Sequence, residues 1–280
     1  MNVFDSEDDF MKLSVDVLVE VGQYICLAAC ILPGDRKAWS LSESIVGGNV
    51  VRLYKLISAF LDQTCQKRRE ITVGLGRMVF ECIINIKYLI KNASPDLFRS
   101  YIHYSLQHEK KLQATILANI ESRGGEILDI ERRMLDSIER SFKASETKPD
   151  EIPQKKVRDW GGKNLFEKAK EVGLEDAYLS IISGPSHSVH GNWQELLEYN
   201  VEQSEDGFAP CLDWHTPRPQ IANAIAIHAV EAAKEYLIYL KYISPRDVEE
   251  IIVRLDDLLT RILLLDKHHE MFLVRKQGMR

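Results

Sequence analysis

Between residues 71 and 91 the chain places Leu75, Met78, Val79, Phe80, Cys82, Ile83, Ile84, Ile86, Leu89 and Ile90 at nearly every position around a helix. A helix that is apolar all round needs packing partners on all sides, so it belongs at the centre of a protein. The flanking sequence supplies partners of the same kind. Phe10, Leu13, Val17, Val21, Tyr24 and Leu27 recur at three and four and predict a helix over about 7–32, broken by Pro33-Gly34-Asp35. Val51, Tyr54, Ile57, Phe60 and Leu61 predict another over about 41–66, weakened by Gly47-Gly48.

Ser94-Pro95, Thr216-Pro217 and Ser244-Pro245 each set a hydroxyl cap before a proline suited to the first helical turn. They predict helices over about 95–122, 217–242 and 245–272. Gly124-Gly125 precedes a charged helix at about 126–145, and residues 146–162 read as a loop. Shorter helices are expected at 163–172 and 174–183, and a short strand or hairpin at Phe208 to Trp214. The expected fold is all-α, a multi-helix bundle with a core domain over 45–243. Residues 1–44 and 244–280 are expected as helical additions.

A net charge of −6 argues against a protein that coats nucleic acid, although 36 Lys and Arg leave room for a local basic groove. The five cysteines form no C-x-x-C pair and suit a reducing compartment. The start is acidic at Asp5, Glu7, Asp8 and Asp9, unlike a signal peptide, and the early uncharged run Val21 to Gly34 is too short to span a bilayer. No membrane segment is expected, and a cytoplasmic location is. There is no P-loop, no Glu-x-x-His pair, no H-E-x-x-H helix and no G-x-S-x-G elbow, and Gly74-Leu75-Gly76 lacks the third glycine of a dinucleotide turn. No metal or cofactor is expected.

Two local features carry possible chemistry. Arg77 and Glu81 stand one turn apart in the central helix, with Tyr88 further along roughly the same face. Charges in such a helix need partners. Either the two form a structural ion pair or they floor a polar pocket. The second feature is the uncharged run from Tyr178 to Trp193, which holds Ser183, Ser186, His187 and His190. It reads either as a packed helix junction or as a site where histidine moves protons.

Together these segments resemble a widespread bacterial family of uncharacterised helical proteins. Gly76-Arg77-Met-Val-Phe-Glu81 resembles that family's R-S-x-x-E helix. Trp160-Gly-Gly-Lys-Asn, Tyr178 and a Ser-x-x-x-His-Gly-Asn-Trp ending resemble its closing motif. The resemblance covers about residues 45–240. The Ser-x-x-x-His frame falls at Ser183/His187 or at Ser186/His190. The family is in turn similar to the HEPN superfamily, which includes toxins and phage-defence ribonucleases carrying Arg, four to six residues, then His. Arg261 to His268 fits that spacing, a match common enough to arise by chance.

The resemblance implies a defence- or stress-associated protein that cleaves RNA without metal, as in antiviral defence. His190 or His187 would shuttle a proton at the ribose hydroxyl, Arg77 would stabilise charge on the phosphate, Glu81 would orient one of them, and Ser186 is a further candidate of the site. The alternative is a non-catalytic interaction module. Ile251, Ile252, Leu255, Leu258, Leu259, Ile262, Leu263 and Leu265 form an apolar stripe suited to packing on its own core, to a homo-oligomer or to a defence-system partner.

Overall fold

A computed structural model describes the chain apart from residues 1–3, 5, 33–35, 154, 156, 184–190, 242–245 and 279–280. Ten α-helices run through the described residues: α1 Glu7–Cys30, α2 Leu41–Cys65, α3 Arg69–Lys91, α4 Pro95–Ser122, α5 Asp129–Ala144, α6 Leu165–Glu171, α7 Glu175–Tyr178, α8 Trp193–Glu195, α9 Pro219–Lys241 and α10 Arg246–Gly278. One hairpin, β1 Val201–Ser204 and β2 Gly207–Pro210, pairs antiparallel with Val201 opposite Pro210. The fold is all-α, a multi-helix bundle, as the periodicity predicts.

The contacts divide the chain into two compact units, residues 1–91 with 168–280, and residues 92–167. In the first unit α3 packs between α2 and α9, and α1 packs on α2, α9 and α10. Val79, Phe80, Cys82, Ile83, Ile84, Ile86 and Leu89 of α3 are fully buried. The close approach of α9 depends on small residues. A Cβ at Gly76 would come within 3.3 Å of Ile221, and α9 buries Ala222, Ala226, Ala229, Ala232 and Ala233. Two polar pairs lie in this core: Ser14 Oγ donates to Asn223 at 2.7 Å, and the Cys82 thiol to the Asn49 carbonyl at 3.3 Å.

The terminal segments expected as additions contribute directly to this core. Leu18, Val21 and Ile25 of α1 and Leu255, Leu258 and Ile262 of α10 are fully buried. Arg261 of α10 grips both carboxylate oxygens of Glu20 on α1, at 2.8 and 2.6 Å. The apolar stripe of the last helix is therefore largely used within the chain. Helices α1 and α2 are also long and apolar enough to cross a membrane by length and composition, with 44% of each apolar window buried inside the protein.

The second unit is built on α4 and α5. Ser94 caps α4 as its sequence predicts, its Oγ accepting from Leu97 N–H at 3.3 Å with Pro95 in the first turn. Gly124 and Gly125, at φ 72° and 93°, turn the chain into α5 in a conformation that other residues resist. Leu106, Ile116, Ile120, Ile138, Phe142 and Ile152 form the unit's own core. The expected loop at 146–162 contains two short 3-10 turns, Pro149–Glu151 and Trp160–Gly162.

Two boundaries differ from expectation. Helix α9 starts at Pro219 instead of Pro217. A second proline two residues on can take the first-turn position, and residues 211–218 then run as an irregular connection. The hairpin lies earlier than Phe208 to Trp214, because its turn is set by Glu205-Asp206 before Gly207 at φ 139°. Ser244 and Pro245 lie outside the described residues.

Candidate functional site

Arg77 and Glu81 are both half-buried on α3. They do not pair: Arg77 Nη1 is shut off from solvent and has no hydrogen-bond partner among the described residues. This corrects the ion-pair reading. Arg one turn before Glu is the weaker order for such a pair, because helical side chains lean toward the N-terminus. The other candidates, Ser186, His187 and His190, lie outside the described residues.

Glu70, Arg77 and Glu81 share one face of α3, since spacings of seven and four return to the same side of a helix. Glu70, about 10 Å from Arg77 along the axis, belongs to a polar cluster that no local motif announces. Its Oε1 accepts from the ring Nδ1 of His215 at 2.7 Å and from the His215 backbone N–H at 3.2 Å. The His215 carbonyl in turn accepts from Arg69 N–H at 2.9 Å, satisfying a free donor of the first helical turn. One bond thus orients the imidazole and two hold the His215 backbone. Donation through Nδ1 leaves Nε2 as the free ring nitrogen, assigned from the hydrogen-bond network. No described residue bonds to it.

Residues 193–200 supply the next wall as α8 followed by one π-helical stretch, Leu196–Asn200. Tyr199 stands edge-on to His215 with ring centroids 5.3 Å apart, and the Arg69 guanidinium lies 5.4 Å from the Tyr199 ring centre. Burial pushes the Tyr199 phenol up to about 12, so it stays protonated. Arg69 also pairs with Glu198 at 3.0 Å, and Arg68 lies over Trp214. Burial raises the carboxyl of Glu195, whose Oε2 has no hydrogen-bond partner among the described residues.

The profile of a family of unknown function (DUF5677) matches residues 43–208. The chain belongs to that family. No curated protein and no solved structure matches it.

The DUF5677 match takes in Arg69, Glu70, Arg77, Glu81, Glu195, Glu198 and Tyr199, and also Ser186, His187 and His190. His215 lies beyond its end, so the Glu70–His215 pair joins the family region to the segment after it. Arg261, of the Arg-to-His268 spacing, is held by Glu20 and by Asp257 at 3.0 Å on the α1 side of the bundle. Further along α3, Lys87 is buried and meets Glu235 at 2.7 Å and Glu231 at 3.5 Å. Glu231 also bonds His228, and this contact is the main cause holding its carboxyl below the ordinary value. Among the described residues no group of three His, Cys, Asp or Glu is placed to hold a metal ion.

The sequence carried one trace of this site, the Arg68-Arg69-Glu70 run opening an otherwise apolar helix. Nothing in it pointed to His215, which lies 145 residues from its partner.

Proposed function

We propose that this DUF5677 chain is a metal-independent ribonuclease of the HEPN-like kind, acting inside a bacterial cell in a stress or antiviral defence response. The observation that carries the reading is the Glu70–His215 pair, an imidazole oriented by a carboxylate with its second nitrogen unbonded by any described residue. In RNA cleavage Nε2 of His215 takes the proton of the 2′-hydroxyl, and the 2′-oxygen bonds to the adjacent phosphorus. Glu70 stabilises the imidazolium that forms. The Arg77 guanidinium, whose Nη1 has no partner among the described residues, meets the negative phosphate. The bond from phosphorus to the 5′-oxygen breaks, and that oxygen takes a proton from Glu195, whose carboxyl burial raises; His190 or His187 remains the sequence candidate for the ribose proton. The products are a 2′,3′-cyclic phosphate and a 5′-hydroxyl.

The test is cleavage of single-stranded RNA in the presence of a metal chelator, with end-group analysis of the products. His215→Ala should lower the rate by about 10²–10⁴-fold. A chelator-sensitive reaction, 5′-phosphate ends or an unchanged His215→Ala rate would overturn the reading.

A second reading, self-association, is favoured by one observation. Val253, Leu264, Met271 and Val274 are exposed on α10 at spacings of eleven, seven and three, a stripe apart from the buried one. Light scattering of Leu264→Asp/Met271→Asp tests it. A dimer that becomes monomeric supports the reading, and an unchanged mass sinks it.

A further inference from the structure

A groove in the second unit takes no part in the chemistry proposed above. Along α4, Arg99, His103, Tyr104, Gln107, His108 and Lys111 recur at helical spacing. Facing them, Ile152 and Val157 are fastened by two side chains of α4. Gln107 Oε1 accepts from Val157 N–H at 2.7 Å while its Nε2 donates to the Val157 carbonyl at 3.5 Å, so one side-chain amide pairs with the backbone as a strand would. Lys110 Nζ donates to the Ile152 carbonyl at 2.8 Å. These bonds hold open a groove of about 1120 Å³ walled by Tyr104, His108, Lys111, Pro153, Val157 and Arg158.

Three properties of the groove point to a ligand. Among the described residues it is lined by cations and no carboxylate, in a chain whose net charge is −6. Its wall is also apolar at Ile152, Pro153 and Val157, with Tyr104 40% exposed, an arrangement that a bare anion would not use. In the adjoining recess, lined by Arg99, Ser100 and His103, the Nε2 of His103 is shut off from water and has no hydrogen-bond partner among the described residues. Asp96 is the carboxylate at that recess, and it pairs with Arg99 at 3.4 Å.

We propose that this groove binds a nucleoside polyphosphate, with the base against Tyr104 and the phosphates on His108, Lys111 and Arg158. Tyr104 and Lys111 lie two turns apart on α4, about 10 Å along its axis, which is the reach from a base to its phosphates. Stacking on the ring supplies preference for a base, and the cations supply the phosphate requirement. The open groove places no tight collar round the base, so purine and pyrimidine nucleotides should both bind.

Isothermal titration of the full chain with ATP, adenosine, inorganic tripolyphosphate and a short single-stranded oligoadenylate tests this. ATP should bind more tightly than adenosine, tripolyphosphate or the oligomer. Tyr104→Ala should weaken ATP about five- to hundredfold and leave tripolyphosphate unaffected. Lys111→Glu/Arg158→Glu should weaken both by at least about tenfold. Arg132→Glu/Arg133→Glu, the same charge change on the exposed face of α5, should leave ATP binding as it is. The proposal falls if ATP shows no binding at millimolar concentration, or if Tyr104→Ala binds it normally. It also falls if tripolyphosphate binds as tightly as ATP, which marks a bare anion patch, or if the oligomer binds more tightly, which marks a nucleic-acid groove. Circular dichroism checks that each variant is folded. Should the double variant misfold, the Tyr104→Ala comparison decides alone.

Discussion

Glu70 accepts two hydrogen bonds from His215 on a single carboxylate oxygen, one from the ring at 2.7 Å and one from the backbone at 3.2 Å. The ring contact orients the imidazole, whereas the backbone contact holds the 211–218 connection against the start of α3. Glu70→Gln keeps the shape but removes the charge. It should fold normally by circular dichroism, lose the low-field Nδ1 proton resonance of His215, and cleave RNA up to about 10⁴-fold more slowly. A variant that loses the resonance and keeps full activity would remove the pair from catalysis.

The Glu20–Arg261 contact joins the first and last helices. Glu20 is held below its ordinary carboxylate range, mainly by the hydrogen bond from Arg261. A carboxylate lowered in the folded state stabilises fully above its unfolded pKa and loses that contribution as pH falls through its folded pKa. Thermal melting should therefore drop less steeply on acidification in Glu20→Gln than in the unaltered chain. Both groups are partly exposed, and a double-mutant cycle at neutral pH should return only about 0.2–1 kcal/mol. Identical acid profiles would rule out this contact as a source of acid sensitivity.

His269 is fully buried on α10, its ring tilted against Phe10 at 4.9 Å, and neither ring nitrogen has a hydrogen-bond partner among the described residues. Glu7 approaches Nε2 only to 3.9 Å. Burying polar nitrogens unpaired is costly, and the neighbouring Phe10 and Phe272 offer an aromatic environment. His269→Phe should stabilise the fold by about 1 kcal/mol in chemical denaturation. A loss of stability would show that the Glu7 contact, or the smaller ring, matters more than the unpaired nitrogens.

Burial pushes the Cys82 thiol up to about 12 and the group donates to Asn49, whereas Cys30 and Cys65 are exposed. A thiolate reagent at neutral pH should label Cys30 and Cys65 first and reach Cys82 only on unfolding. Mass mapping of the labelled sites checks the order. Early labelling of Cys82 would mean that the α2–α3 packing opens readily.

The bundle was legible in sequence because its cause is local. The apolar circumference of α3 demands a central position, and Ser94-Pro95 marks a helix start within four residues. Thr216-Pro217 misled for an equally local reason, since Pro219 offers a competing first turn. The candidate site was only half legible. Arg77 stood out as a charge in an apolar helix, but its lack of a partner depends on side-chain direction. His215 acquires its meaning from Glu70, and single-sequence patterns do not register a contact across that separation.

Finally, the second unit leaves the first at Lys91 and rejoins it at Lys168, and the Lys91 ammonium donates to the Glu171 carbonyl at 2.5 Å. In polymer terms, residues 92–167 are a loop whose two ends are tied together on the body it departs from. The entropy of closing such a loop grows only with the logarithm of its length, about 0.6 kcal/mol for each doubling. Lengthening, shortening or replacing this insert therefore places little burden on the bundle that carries Glu70 and His215. The insert and its groove can diverge in sequence and ligand while the bundle stays fixed.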